Sequence, residues 1–205
     1  GIRKAKMGNW WQNNPQRALS NNSACYTRTP DIGLFMHEWK ALFDSKSGER
    51  GIFNREAAKK KVAENGRRDP EHDFGTNPCS EIILRPYQFC NLTEVVIRAI
   101  DEAKDLKRKV RLASQLGTYQ STLTDIKYLR KIWRDNTEEE RLLGVSLTGI
   151  MDNQLTIEAD PKLLKSMREM AVETNKDFAK KLKIPQSAAT TCIKPSGTVS
   201  QLVDS

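Results

Sequence analysis

Histidine and cysteine are scarce in this chain, at two and four among 205 residues. His37 and His72 have no companions at metal-ligand spacing, and Cys25, Cys79, Cys90 and Cys192 form no CxxC pair. That scarcity excludes a zinc site and a secreted disulfide framework, and it predicts a reducing, cytoplasmic setting. No run of apolar residues approaches the ~18 needed to cross a bilayer. The opening "GIRKAKMGNWWQNNPQRALS" has a basic start with no apolar block behind it, so neither a membrane span nor a signal peptide is expected. Internal repeats, low-complexity tracts and a clear linker are also missing. The length then fits one domain, or a large piece of a bigger one.

What is abundant is charge. The net value of +8 suits anionic partners such as nucleotides, nucleic acid or acidic proteins. Much of it sits in "NREAAKKKVAENGRRDPEHD", Asn54 to Asp73, which reads as a short solvated helix followed by a polar loop. Its weak apolar stripe is Phe53, Ala57 and Val62, with Lys59, Lys60 and Lys61 facing water. No aromatic residues interleave with these charges, so direct nucleic-acid binding is not expected.

Helical and strand patterns alternate along the chain. "SACYTR" reads as a short strand. "DIGLFMHEWKALFDS" (31–45) reads as an amphipathic helix with Leu34, Phe35, Trp39, Leu42 and Phe43 on its apolar face. "SGERGIFN" offers a turn and a short strand, and "FCNLTEVVI" (89–97) a β-rich run. In "DEAKDLKRKVRLASQLG", Leu106, Val110, Ala113 and Leu116 share a helical face, and Gly117 is placed to end the helix. "RLLGVSLTGI" (141–150) is an apolar strand. Asp160 and Pro161 then read as N-cap and first residue of a helix with Leu163, Met167, Met170, Ala171, Phe178 and Leu182 buried. "SAATTCIKPSGTVSQL" reads as a strand, a tight turn and a helix start. The alternation predicts α/β architecture with largely parallel strands.

Two motifs carry chemistry. In "FGTNPCSEIILRPYQFCNLTEVV", Asn77, Cys79 and Glu81 occupy alternate positions with Pro78 in the first gap, and Cys90 follows eleven residues after Cys79. A residue before proline is pushed to extended conformations, and in an extended run side chains at i and i+2 share a face about 6.7 Å apart. An amide, a thiol and a carboxylate are thereby expected to converge on one small ligand. A buried cysteine is often just a small hydrophobe, and the flanking Asn and Glu argue against that for Cys79. A cysteine in a β-rich run is by itself more often core, so only its spacing from Cys79 singles out Cys90. The second motif is "KPSGTVS" (194–200), a glycine turn between a strand and a helix start. Such a turn lets backbone approach an anion, or simply caps a helix. It is not a Walker A loop.

Together "NPCSEI", "FCNL" and "KPSGTVSQL" resemble the catalytic barrel of the ribonucleotide reductases, in particular the adenosylcobalamin-dependent (class II) ribonucleoside-triphosphate reductases of the monomeric type. "NNPQRALSNNSA", "WKALFDSKSGERGIFNR" and "RLLGVSLTGIMD" extend the likeness through essentially the whole chain. The resemblance implies that residues 1–205 are a central-to-late part, roughly half, of an α/β barrel. An internal finger loop would lie at about 74–90 and a phosphate loop at 194–200. It implies that Cys79 becomes the thiyl radical removing the ribose 3′-hydrogen, that Glu81 takes the 3′-hydroxyl proton, and that Asn77 holds the substrate hydroxyls. Cys90 would be one of two thiols ending as a disulfide, and Ser196, Gly197, Thr198 and Val199 would hold the substrate phosphates. Adenosylcobalamin is the implied cofactor. The implied partners are a ribonucleotide substrate, a thioredoxin-type reductant, and complementary chains supplying the missing barrel portion and a C-terminal tail. Cys25 and Cys192 match no family role and read as packing residues. Two alternatives stand beside this reading: part of a class I large subunit that receives its radical from another protein, and a non-catalytic basic module of a nucleotide-enzyme complex.

Overall fold

A computed structural model describes residues 2–20, 22–46, 51–195 and 199–205. The chain divides into two compact units, Gly1–Pro86 and Tyr87–Ser205, and the division falls inside the 74–90 stretch expected to form one loop. Each unit is a mixture of helix and strand.

In the first unit a short helix, α1 (Trp10–Asn13), precedes strand β1 (Ala24–Tyr26). β1 pairs in parallel with β2 (Ile52–Asn54), placing Cys25 opposite Phe53. Parallel neighbours need a crossover, and α2 (Ile32–Ser45) lies between them in sequence. Asp31 starts α2 by accepting the Gly33 and Leu34 N–H groups at 3.0 and 3.1 Å. The expected apolar face of α2 is only partly used. Phe35 and Leu42 are half-buried, whereas Leu34 is 65% and Phe43 77% exposed and Trp39 also faces solvent. Glu38 is the buried residue of this helix, and it accepts the Arg3 guanidinium Nε–H at 2.7 Å. A sheet of two three-residue strands offers too little surface to cover a four-turn helix. Helix α3 (Arg55–Asn65) is capped by the Asn54 side chain and ends at Gly66, whose φ is 65°. Its buried residues are Ala58 and Val62, and Phe74 and Ile82 are also buried in this unit. Val62 was expected there, but Ala57 is exposed and its place is taken by Ala58.

A two-stranded hairpin closes this unit, β3 (Gly75–Thr76) antiparallel to β4 (Ile83–Leu84). Arginines tie its base down. Arg55 Nε donates to the Phe74 carbonyl at 2.7 Å, and Arg68 Nη1 to the Ile83 carbonyl at 2.9 Å. The Arg68 guanidinium also lies 4.8 Å from the centroid of the fully buried Phe74 ring.

The second unit is built on β5 (Asn91–Val96) parallel to β6 (Leu143–Thr148), in register from Asn91 opposite Leu143 to Val96 opposite Thr148. Thr191 bridges to Val145 on the far side of β6, so the expected third strand is present as a short stretch of pairing. Helices α4 (Ala103–Gln120) and α7 (Pro161–Leu182) pack on the face of Val95 and Val145. Leu106, Val110, Ala113, Leu163, Met167 and Ala171 fill that core as their spacing predicts. Two short helices, α6 (Gln154–Ile157) and α8 (Val199–Leu202), complete the unit with α5 (Lys131–Glu140).

Three expectations need correction. Gly117 does not end α4. It lies inside the helix, where a Cβ would stand 2.7 Å from Leu143 Cδ2 and 3.5 Å from Thr93 Cγ2, so its smallness permits close helix–sheet packing. Leu116 is exposed. In α7 the lower half of the stripe is partly polar: Thr174 and Asn175 are buried along with Ala179, and Phe178 and Leu182 are only half-buried. Asn175, 1% exposed, donates to Thr118 Oγ1 at 3.0 Å and to Ser187 Oγ at 2.9 Å, and accepts the Ser187 N–H at 2.9 Å. No described helix is long and apolar enough to cross a membrane.

Two stability predictions follow from this packing. Asn175→Leu removes the buried amide that bonds Thr118 and Ser187 and should lower unfolding free energy by about 1–3 kcal/mol, read as a lower midpoint in urea. Asp101 ties the end of β5 to α4 by accepting Lys109 Nζ at 2.5 Å and the Arg98 N–H at 2.8 Å. Burial alone would raise its carboxyl, but the Lys109 ammonium and the Arg98 N–H outweigh burial and hold it below the usual 3.8. A depressed folded pKa stabilises above the unfolded value and is lost as pH falls through the folded one. Asp101→Asn should therefore be destabilised at neutral pH, and the gap from the native chain should close below pH 3.8.

Candidate functional site

Asn77, Cys79 and Glu81 lie in the loop joining β3 to β4, and the backbone there is a turn instead of the expected extended run. The Ser80 N–H donates to the Asn77 carbonyl at 3.0 Å, with Pro78 and Cys79 as the central residues. Proline presets the backbone for the first central position of a turn. Its restriction on the preceding residue stops at Asn77 and does not carry through to Glu81. Ser80 takes a φ of 66°, an uncommon conformation for a residue with a side chain. The loop closes when the Asn77 N–H donates to the Ile82 carbonyl at 3.2 Å and the Ile82 N–H donates to Asn77 Oδ1 at 3.1 Å.

Two reactive groups of opposite character result. Cys79 is exposed. Glu81, two residues on, has both carboxyl oxygens buried with no hydrogen-bond partner among the described residues. A buried carboxylate without a donor is costly, and such groups occur where a ligand completes the bonding. The arrangement can present a thiol to one part of a small molecule and a proton acceptor to a neighbouring hydroxyl.

Cys90 falls in the second unit, half-buried just before β5. Its segment is pinned to α5, a helix that apolar spacing did not reveal because "KIWRDNTEEE" is almost wholly polar. Gln88 Nε2 donates to the buried Glu140 carboxylate at 2.5 Å, and Asn136 Nδ2 to the Tyr87 carbonyl at 3.1 Å. On the other side of Cys90, Asn91 donates its backbone N–H at 2.8 Å and its side-chain amide at 3.1 Å to the Leu142 carbonyl. Tyr87 has a φ of 58° and its ring packs edge-on to Trp133 at 5.7 Å, while Phe89 lies 4.8 Å from the same indole. Trp133, Asn136 and Glu140 therefore hold the segment before Cys90, and the sequence reading missed them. The only sequence signal was a lone tryptophan in a charged run. Next to them Arg141 donates to the Ser121 carbonyl at 2.6 Å, and burial lowers its pKa below the ordinary arginine value.

The remaining predicted site residues are less fully described. Ser196, Gly197 and Thr198 lie outside the described residues. Val199 begins α8, and upstream the Lys194 N–H donates to the buried Ser146 Oγ on β6 at 2.9 Å. Cys25, expected to pack, is exposed on β1. Cys192 is half-buried beside an apolar cleft of about 330 Å³ with Leu147, Met167 and Arg168. His72 Nε2 accepts Arg85 Nη1 at 2.9 Å. No cluster of three potential metal ligands occurs among the described residues.

If α5 holds the Cys90 segment, removing the Glu140 carboxylate should loosen it. Glu140→Ala leaves Gln88 short of a buried acceptor, a loss of about 1–3 kcal/mol. Alkylation of Cys90 should then accelerate, with the exposed Cys25 thiol unchanged as the internal control, both read by peptide mass spectrometry.

Comparison with known proteins places these features in context. No family model matches the chain. The adenosylcobalamin-dependent ribonucleoside-triphosphate reductases of Lacticaseibacillus paracasei and Lactobacillus leichmannii are each 29% identical to it over 91% of the chain. A putative enzyme of the same description from Mycobacterium phage D29 is 30% identical over 65%. The crystal structure of a B12-dependent (class II) ribonucleotide reductase superposes on 62% of the chain and 21% of its own length, with a TM-score of 0.52 and 26% identity. The chain spans 28% of the length of the two bacterial relatives.

Proposed function

We propose that this chain, which is related in sequence to the adenosylcobalamin-dependent ribonucleotide reductases over 91% of its length, is the radical-chemistry segment of such an enzyme. It would reduce ribonucleotides to 2′-deoxyribonucleotides within a larger assembly. The hairpin loop carries this reading, because it sets an exposed thiol two residues from a carboxylate whose buried oxygens have no described partner. In the relatives' barrel this hairpin would be the finger loop, and the parallel strands of the two units part of the barrel wall.

The residues divide the chemistry as follows. Adenosylcobalamin, when bound, supplies the radical equivalent. The feature of this chain that fits it is the Cys79 thiol, exposed at the loop tip where a bulky group can reach it. Cys79 gives up its hydrogen atom to become a thiyl radical, which takes the 3′-hydrogen of the ribose. Glu81 accepts the 3′-hydroxyl proton, and the 2′-hydroxyl departs with a proton as water. A substrate hydroxyl supplies the hydrogen-bond donor that the buried Glu81 oxygens lack among the described residues. Cys90 and a second thiol supply two electrons and their protons and finish as a disulfide, which a thioredoxin-type reductant would reopen. The 3′-hydrogen then returns from Cys79. Ser196, Gly197, Thr198 and Val199 would hold the phosphates.

The test uses the chain joined by the remaining portion of the reductase, supplied as a separate polypeptide. Cys79→Ser should abolish hydrogen exchange between adenosylcobalamin and solvent as well as deoxynucleotide formation. Cys90→Ser should stop turnover and leave the exchange intact, and Glu81→Gln should lower turnover by about 100-fold or more, the scale of a lost general base. Exchange that survives Cys79→Ser would sink the proposal, as would deoxynucleotide formation by the 205-residue chain alone.

A further inference from the structure

A side chain that merely contacts substrate has no need to fasten its own loop, yet the Asn77 side chain adds a third bond to two made by its backbone. Its carbonyl accepts the Ser80 N–H at 3.0 Å and its N–H donates to the Ile82 carbonyl at 3.2 Å. The third bond, from the Ile82 N–H to Asn77 Oδ1 at 3.1 Å, spans the loop from its last residue to its first. Ile82 is buried, so an N–H deprived of that oxygen would have no water to turn to. Between the two fastened residues lie Pro78, Cys79, Ser80 and Glu81. The Ser80 hydroxyl is 3.4 Å from Thr76 Oγ1, and a Cβ on Gly51 would stand 3.7 Å from it. The tip therefore rests against the β2 end of its own unit.

We propose that Asn77 is a positioning residue: its side-chain oxygen latches the loop at Ile82 and fixes the spacing of the Cys79 thiol and the Glu81 carboxylate before substrate arrives. The inference deepens the radical-site reading and takes its functional meaning from it, while the latch itself is a property of the isolated chain. It separates the two ends of one amide. The acceptor Oδ1 does the latching, so a side chain of the same shape that keeps the oxygen and lacks the amide hydrogens preserves the loop.

The experiment compares Asn77→Ala and Asn77→Asp in the full 205-residue chain, with amide hydrogen exchange at Ile82 and iodoacetamide labelling of Cys79 as readouts. The Ile97 amide, bonded to the Thr148 carbonyl at 2.9 Å in the other unit, is the reference. Asn77→Ala should speed Ile82 exchange by about 10-fold, the scale of one net hydrogen bond, and change Cys79 labelling by about 2-fold or more. Asn77→Asp should stay within about 2-fold of the native chain on both, because its oxygen restores the acceptor. Ile82 exchange unmoved by Asn77→Ala, or as fast in Asn77→Asp as in Asn77→Ala, overturns the latch. If Asn77→Ala also loses protection at Ile97, the substitution has unfolded the chain and Asn77→Asp decides: retained protection at Ile82 supports the latch and lost protection overturns it. Neither readout involves turnover. A failed latch leaves the cofactor-exchange test of Cys79 standing, and a failed exchange test leaves the latch standing.

Discussion

Parallel strands cannot be joined by a tight turn, and the organisation of both units follows from that constraint. β5 and β6 run side by side in the same direction, so the chain between them must travel the length of the sheet and back. It does so through α4 and then α5. α4 supplies the apolar cover for one face of the strands. α5 has almost nothing apolar to contribute, and it is the element that grips Tyr87 and Gln88 just before Cys90. The helix left over from solving a packing problem is therefore the one that holds the segment leading into Cys90. The β1–β2 pair obeys the same rule with α2, but its three-residue strands leave most of that helix uncovered.

What the sequence made legible was governed by local physics. Asp160 and Pro161 start α7 where their cap and dihedral preferences say they must, and the 3.6-residue stripe of α4 is buried at Leu106, Val110 and Ala113. The misreadings occur where a tertiary contact overrules a local preference. Gly117 reads as a helix end because glycine destabilises a helix interior, and only the Leu143 side chain lying against it explains its place. Asn175 falls outside the apolar stripe of α7, and nothing in that helix announces that Thr118 and Ser187 will satisfy it from elsewhere. α5 escaped because a helix held by hydrogen bonds to a neighbouring segment needs no apolar stripe.

At the candidate site the residue types were legible and the backbone was not. Alternate positions after a proline suggest a strand, and a strand would line up Asn77, Cys79 and Glu81 over about 13 Å, at roughly 3.3 Å per residue. That span suits a long ligand better than a single sugar ring. A turn closed between Asn77 and Ile82 folds the same residues into the space of one hairpin loop.

The two chemistries ask for different surroundings, and the turn supplies both within three residues. In the proposed chemistry a hydrogen atom is exchanged with a thiol that the radical source can reach, and Cys79 lies exposed at the loop tip. The same proposal asks a carboxylate to meet a substrate hydroxyl away from water, and Glu81 lies on the descending arm, where its oxygens are covered. A straight strand alternates its faces and would give positions 79 and 81 the same exposure. Breaking the strand at Pro78 and Ser80 removes that equivalence, and the left-handed φ of Ser80, a conformation that costs a non-glycine residue about 1 kcal/mol or more, is where the chain turns from the solvent-facing thiol to the covered carboxylate.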